Sequence, residues 1–150
     1  MNPKLTIEMI PSTSWWDNVR SKLPAAEWDR LRKAQYLAAG YKCEICGQSG
    51  LNQGYKWPVE CHEVWEYNPE LFQQKLIRLI ALCPLCHHVK HYGRTEMIGG
   101  KQLENAFRHL MNVNGWDRDQ ALGHTQVSYQ VWQNRSSHDW TIDISVITNS

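Results

Sequence analysis

The chain carries two C-x-x-C pairs, Cys43-Glu44-Ile45-Cys46 and Cys83-Pro84-Leu85-Cys86, with 36 residues between them. No other feature restricts the fold as tightly. A two-residue gap lets both sulfurs of a pair face one point, and two pairs supply the four thiolates of a tetrahedral structural zinc site. A redox role needs only one pair, and here there are two. The separation exceeds that of a compact zinc finger, so the metal staples a whole inserted segment. The cysteine count of five is odd, and Pro3, Lys4 and Glu8 interrupt any apolar export signal at the start. A reducing, cytoplasmic setting is therefore expected, where thiols ligate metals rather than pair. No run approaches the roughly 18 apolar residues that span a bilayer, which excludes a membrane class.

Composition bounds the rest. A length of 150 residues fits a single domain. A net charge of +1 excludes a uniformly basic nucleic-acid coat. Eight Trp, six Tyr and two Phe exclude a disordered chain.

Local patterning predicts an α+β order. Leu5, Ile7 and Met9 alternate with polar neighbours, as in a short strand. Trp15, Trp16 and Val19 sit in a short helix or turn over 12–22. Pro24 and Gly40 bracket a helix over 24–39. Residues 41–54 read as a knuckle and turn, and 56–67 as one or two strands. In such a strand Cys61 and Glu63 share one face, while Glu60 and His62 share the other. Asn68-Pro69 reads as a helix start, with a short helix to Lys75. Leu79, Ile80 and Leu82 run buried into Cys83. A helix begins near Cys86 and ends at Gly93, and Gly99-Gly100 forms a hinge. Leu103, Phe107 and Leu110 mark an amphipathic helix to Asn112, and Asp117 caps another. Ile142, Ile144 and Val146 alternate in an end strand, for which the first strand is a candidate partner.

The histidines add a second chemistry. His87 and His91 are four residues apart at a helix start, on one face, as two imidazoles on one metal would be. His88 points elsewhere, to a surface or a phosphate. Cys61 is the odd thiol, either a small packed residue or a ligand. Glu60, Glu63, Glu66 and Glu70 form an acidic stretch, and from 71 to 95 every formal charge is positive: Lys75, Arg78, Lys90 and Arg94. Acidic and cationic stretches flanking ligand candidates fit a metal site beside a phosphate-binding surface, or two solvated faces.

Taken in order, a C-x-x-C knuckle, a strand-borne His62 and a C-x-x-C-H at a helix start resemble the HNH endonuclease family in its zinc-bound form. The resemblance covers about residues 41–93, a third of the chain, with 1–40 and 94–150 as flanking helices and short terminal strands. It implies a zinc-stapled ββα-metal, treble-clef-like core and metal-dependent hydrolysis of DNA, or RNA. By that resemblance His62 is the general base, and His87 and His91 hold a catalytic divalent ion (Mg2+, Mn2+, Ni2+ or Zn2+). Cys61 stands where the family commonly has an Asp or His metal ligand. The family's middle Asn corresponds to Arg78, with Asn68 upstream as a substitute. Arg78, Lys90, Arg94 and His88 are the candidate nucleic-acid contacts. The alternatives are a degenerate zinc module that binds nucleic acid without cutting it, and a structural zinc protein that binds protein partners.

Overall fold

Between the two cysteine pairs lies a β-hairpin, and its two faces organise the molecule. The computed structural model describes residues 2–148. Strand β1 (Glu60–Asn68) pairs antiparallel with β2 (Gln73–Leu82), Glu60 opposite Leu82 and Asn68 opposite Gln73, with a bulge between Val64 and Trp65. A three-residue β3 (Thr141–Asp143) adds parallel to β2, Gln73 opposite Thr141. Seven α-helices surround this three-stranded sheet among the described residues, an α+β architecture as expected.

Strand alternation sends successive side chains to opposite faces. Cys61, Trp65, Leu76 and Leu79 pack against Val19 and Leu23 and against Trp28 and Leu31, on α1 (Val19–Lys22) and α2 (Ala25–Ala38). On the opposite face, Val64, Ile80 and Leu82 join the larger core. That core takes Cys86 and Val89 from α3 (Pro84–Lys90), Tyr92 from α4 (Tyr92–Ile98), and Ala106 and Leu110 from α5 (Gly100–Asn114). Leu82, Val89 and Leu110 are fully buried, each contributing about 1.5–3 kcal/mol of apolar transfer. Helix α6 (Arg118–Arg135) packs outside α5, opened by a reciprocal cap between Asp117 and Gln120.

The start of α3 positions the chemistry. Pro84 fits the first turn, where its missing N–H is no loss. Cys83 caps the helix, its Sγ accepting from the Cys86 amide at 3.4 Å. Gly50 lets the preceding loop close against it: a Cβ there would collide with the Trp57 carbonyl and the Pro84 ring.

Four local expectations are corrected. Residues 5–10 are not a strand. Leu5, Ile7 and Met9 are buried as their alternation implies, but helix residues take up the backbone hydrogen bonds. Asn114 Oδ1 accepts from the Leu5 amide at 3.0 Å, His124 Nε2 from Ile7 at 3.0 Å, and the Lys90 carbonyl from Glu8 at 3.1 Å. Alternation reports burial on one side, and a wall of helices satisfies that as well as a sheet does. The helix expected over 68–75 is a hairpin turn and the start of β2. Asn68 Oδ1 does accept from the Glu70 and Leu71 amides at 3.0 and 3.1 Å, but the capping chemistry closes a turn instead. Gly93 does not end a helix; it sits inside α4, where a Cβ would press 3.1 Å from Met9 Sδ, and the stop comes at Gly99 with φ +68°. The end strand stops at Asp143, pairs with β2 rather than with the first segment, and gives way to α7 (Ser145–Thr148).

Candidate functional site

Two donor clusters stand back to back along α3. In the first, the sulfurs of Cys43, Cys46, Cys83 and Cys86 all lie within 4.8 Å of one another. Cys46 and Cys83 are 3.6 Å apart, Sγ to Sγ. A zinc–sulfur bond of about 2.3 Å gives a tetrahedron edge of about 3.8 Å, so the donor set and its spacing fit a structural zinc ion. Without a cation the crowded thiols cannot share one protonation state. A hydrogen bond from Cys46 is the main cause that takes Cys43 down to about 6. Cys43 is likewise the main cause that drives Cys83 down and holds Cys46 and Cys86 up. A divalent ion removes that conflict by holding all four as thiolates.

The knuckle is braced from β2. The Glu44 carboxylate accepts from Arg78 Nη2 at 2.6 Å, from the Ala81 amide at 2.6 Å and from Gln35 at 2.9 Å. On the far side His109 of α5, 5% exposed, places Nε2 at 3.1 Å from Cys86 Sγ and 4.0 Å from Cys83 Sγ.

The second cluster is His62 from β1 with His87 from α3 and His91 from the junction between α3 and α4, their donor atoms also within 4.8 Å of one another. The ring centroids form a triangle of 5.3, 5.2 and 4.8 Å, each pair nearly perpendicular. Imidazoles bound at about 2.0–2.1 Å along tetrahedral directions would separate their centroids by about 5 Å, so these residues fit one ion. His62 is 4% exposed, and neither ring nitrogen has a hydrogen-bond partner. An unpaired buried imidazole is costly, and a cation would satisfy one of its two nitrogens. Burial first, then the neighbouring imidazoles, hold His62 well below the usual histidine range and His91 at about 3. Both are therefore neutral and ready to ligate.

Glu60 fixes the third imidazole. Its Oε1 lies 2.8 Å from His87 Nδ1, and its Oε2 accepts from the Trp57 indole at 2.8 Å. Burial works to raise the Glu60 carboxyl, but His87 outweighs it and the net shift is downward. A carboxylate on Nδ1 sets the tautomer so that Nε2 faces the cluster. His87 and His91 border a cleft of about 650 Å³ lined also by Trp15, Trp16, Arg20 and Arg94, while the buried His62 lines a separate cavity of about 530 Å³ with Val64 and Trp65.

Several expected site residues land elsewhere. Cys61 sits on the opposite face of β1 from His62, among the α1 and α2 side chains, where burial pushes its thiol up to about 12. It packs there and also reaches the wall of the cleft, but its sulfur is not in the donor group of His62, His87 and His91. Lys90 is 5% exposed, its ammonium held by Glu8 and by Thr6 at 3.1 Å, which leaves no face for a phosphate. The helical turn that aims His87 and His91 at the cleft carries Lys90 round to the leading segment. Arg78 is engaged by Glu44 on the knuckle. Asn68 closes the hairpin turn at the strand end remote from His62, so it does not substitute for the missing Asn. Arg94 and His88 both line the cleft, and the His88 ring meets Tyr55 edge-on at 6.0 Å. Glu60 is identifiable from strand parity, since it shares a face with His62. His109 falls on a stripe with Ala106 and Leu110 that marks a core-facing position without naming its partner.

No family model, curated protein or solved structure matches the chain. No helix among the described residues is long and apolar enough to cross a membrane.

Proposed function

We propose that the chain is a metal-dependent endonuclease of the HNH type, built on a ββα-metal core, that hydrolyses DNA phosphodiester bonds. The observation that carries the reading is the three-imidazole cluster on a hairpin and helix whose junction is held by four cysteines. A divalent cation at the trio would act as a Lewis acid on the phosphate and lower the pKa of a bound water. The residues do the rest. His62, His87 and His91 offer three nitrogens, short of a closed tetrahedron, and His87 and His91 face the cleft, the pattern of catalytic rather than structural sites. Glu60 holds His87 in its ligating tautomer. Arg94 and Arg20 line the cleft wall, where they would hold phosphates.

The geometry favours a ligand role for His62 over the base role that the family resemblance implies. A donor nitrogen of His62 lies within 4.8 Å of those of both His87 and His91, the spacing of ligands sharing one ion.

Plasmid nicking with added Mg2+, Mn2+, Ni2+ or Zn2+ tests the function, comparing the wild type with His62→Ala and His87→Ala at equal fold and structural zinc. Cleavage lost in both variants is expected. The second metal equivalent should be lost with it in His62→Ala; its retention would return His62 to the base role. Wild-type protein that binds DNA in a salt-sensitive way but never cuts it would overturn the enzyme reading in favour of a binding module.

A further inference from the structure

The cleft wall is aromatic as well as cationic, and this bears on the form of nucleic acid it takes. Trp16 is 80% exposed and Trp15 40% exposed, side by side at the lip. Across from them α4 presents Arg94 and Ile98. A second cavity of about 780 Å³ continues past the same two tryptophans, His91 and Arg94 toward Met97 and Trp132. No other aromatic side chain among the described residues is as open as Trp16. An indole left bare beside a buried imidazole cluster, next to a second exposed indole, marks a surface that contacts something else.

The cations point the same way. The sequence has eight arginines. Arg30, Arg32, Arg78 and Arg108 are ion-paired, and Arg118 and Arg135 stack on Phe107 and Tyr67. Among the described residues Arg20 and Arg94 alone do neither, and both line this cleft. Two carboxylates also reach its wall, but both are turned to protein. Glu60 is bound by His87 and Trp57, and Glu63 accepts from the Val19 amide at 3.0 Å.

We infer that the site takes single-stranded DNA, with a base stacked on Trp16 and the flanking phosphates on Arg20 and Arg94. In an intact duplex the base faces are covered by their neighbours, so an exposed indole at the lip has nothing to stack on. A single strand offers a face at every base, and its backbone tracks a cationic groove. This inference rests on the nuclease reading for the cleft's role, but stacking can be measured without cleavage.

The test is fluorescence anisotropy with a short fluorescein-labelled DNA strand, alone and annealed to its complement, on zinc-loaded protein without added divalent metal. The single strand should bind more tightly than the duplex. Trp16→Ala should weaken single-strand binding roughly 5- to 150-fold, the scale of one base stack, and leave duplex binding nearly unchanged. Trp16→Phe should restore most of the loss, which a merely unfolded variant would not. Arg20→Gln should reduce the salt slope by about 0.7 on single strands. Duplex bound as tightly as single strand, or Trp16→Ala without effect, overturns the inference. Duplex nicking that ignores Trp16→Ala leaves the nuclease standing and removes only the single-strand preference. Trp16-dependent single-strand binding without any cleavage does the reverse.

Discussion

The four-cysteine and three-histidine clusters draw on the same seven-residue helix and differ in almost everything else. Cys83 and Cys86 have no exposed surface and Cys43 only 4%, so three of the four sulfurs are closed inside the core and only Cys46 is half-buried. Its four donors complete a tetrahedron and leave no position for a substrate. The second cluster has three donors, and two of them, His87 and His91, line an open cleft. Sulfur and closure suit holding a fold together; nitrogen and an open side suit chemistry. One helix thus separates a staple from a reagent by a single residue, Cys86 to His87.

The sharpest way to break the comparison is to remove one donor from each cluster. Cys83→Ser should lose zinc and unfold the domain, because structural zinc contributes on the order of 10–16 kcal/mol, comparable to a whole domain's stability of roughly 5–15. His91→Ala should keep its far-ultraviolet circular dichroism and one equivalent of zinc. A folded Cys83→Ser protein would show that the knuckle is not the staple.

Acid should act on the histidine side of the comparison. His62 and His91 have lower pKa values folded than unfolded, so above about 6.5 both are neutral in either state and pH has no hold on them. Below that, the unfolded chain takes up protons that the folded chain refuses. Stability then falls until folded His91 itself protonates, at about 3. By about pH 5 this amounts to about 2 kcal/mol for one imidazole without bound metal at the trio. Urea midpoints should drop accordingly between neutral pH and pH 5, and drop less in His91→Ala.

Smaller effects separate the supporting residues. Glu60→Gln should weaken divalent metal at the trio by about 10- to 100-fold, read by titration calorimetry, with the knuckle zinc unmoved. His109→Ala should do the converse, speeding chelator extraction of the knuckle zinc by about tenfold and sparing the trio. If either change crosses to the other cluster, the two sites are coupled through α3 rather than independent.

These contrasts are unevenly legible in the sequence. Both knuckles and the His87–His91 pair are local patterns, fixed by gaps of two and three residues, and the chain keeps them. Strand parity alone puts His62 and Glu60 together and Cys61 opposite; the resemblance to a family with a ligand at that position points the other way, and parity prevails. Lys90 reads as a phosphate contact because charge says nothing about direction, and its burial depends on Glu8, 82 residues earlier. The approach of His109 to Cys86 spans 23 residues and depends on how α5 packs on α3, which no local pattern encodes. The turn at Asn68 shows the same limit, since one capping side chain serves a helix or a hairpin according to whether the next segment finds a strand to pair with.

The Cys83 cap on α3 has a consequence in time as well as in space. The residue that opens the helix is also one of the four sulfurs, so closing the knuckle would also fix the helix that carries His87 toward His62. A chain synthesised where zinc is scarce would carry all three imidazoles and yet have no hydrolytic centre. On the proposed function, the supply of one metal would thereby decide when the other could act on DNA.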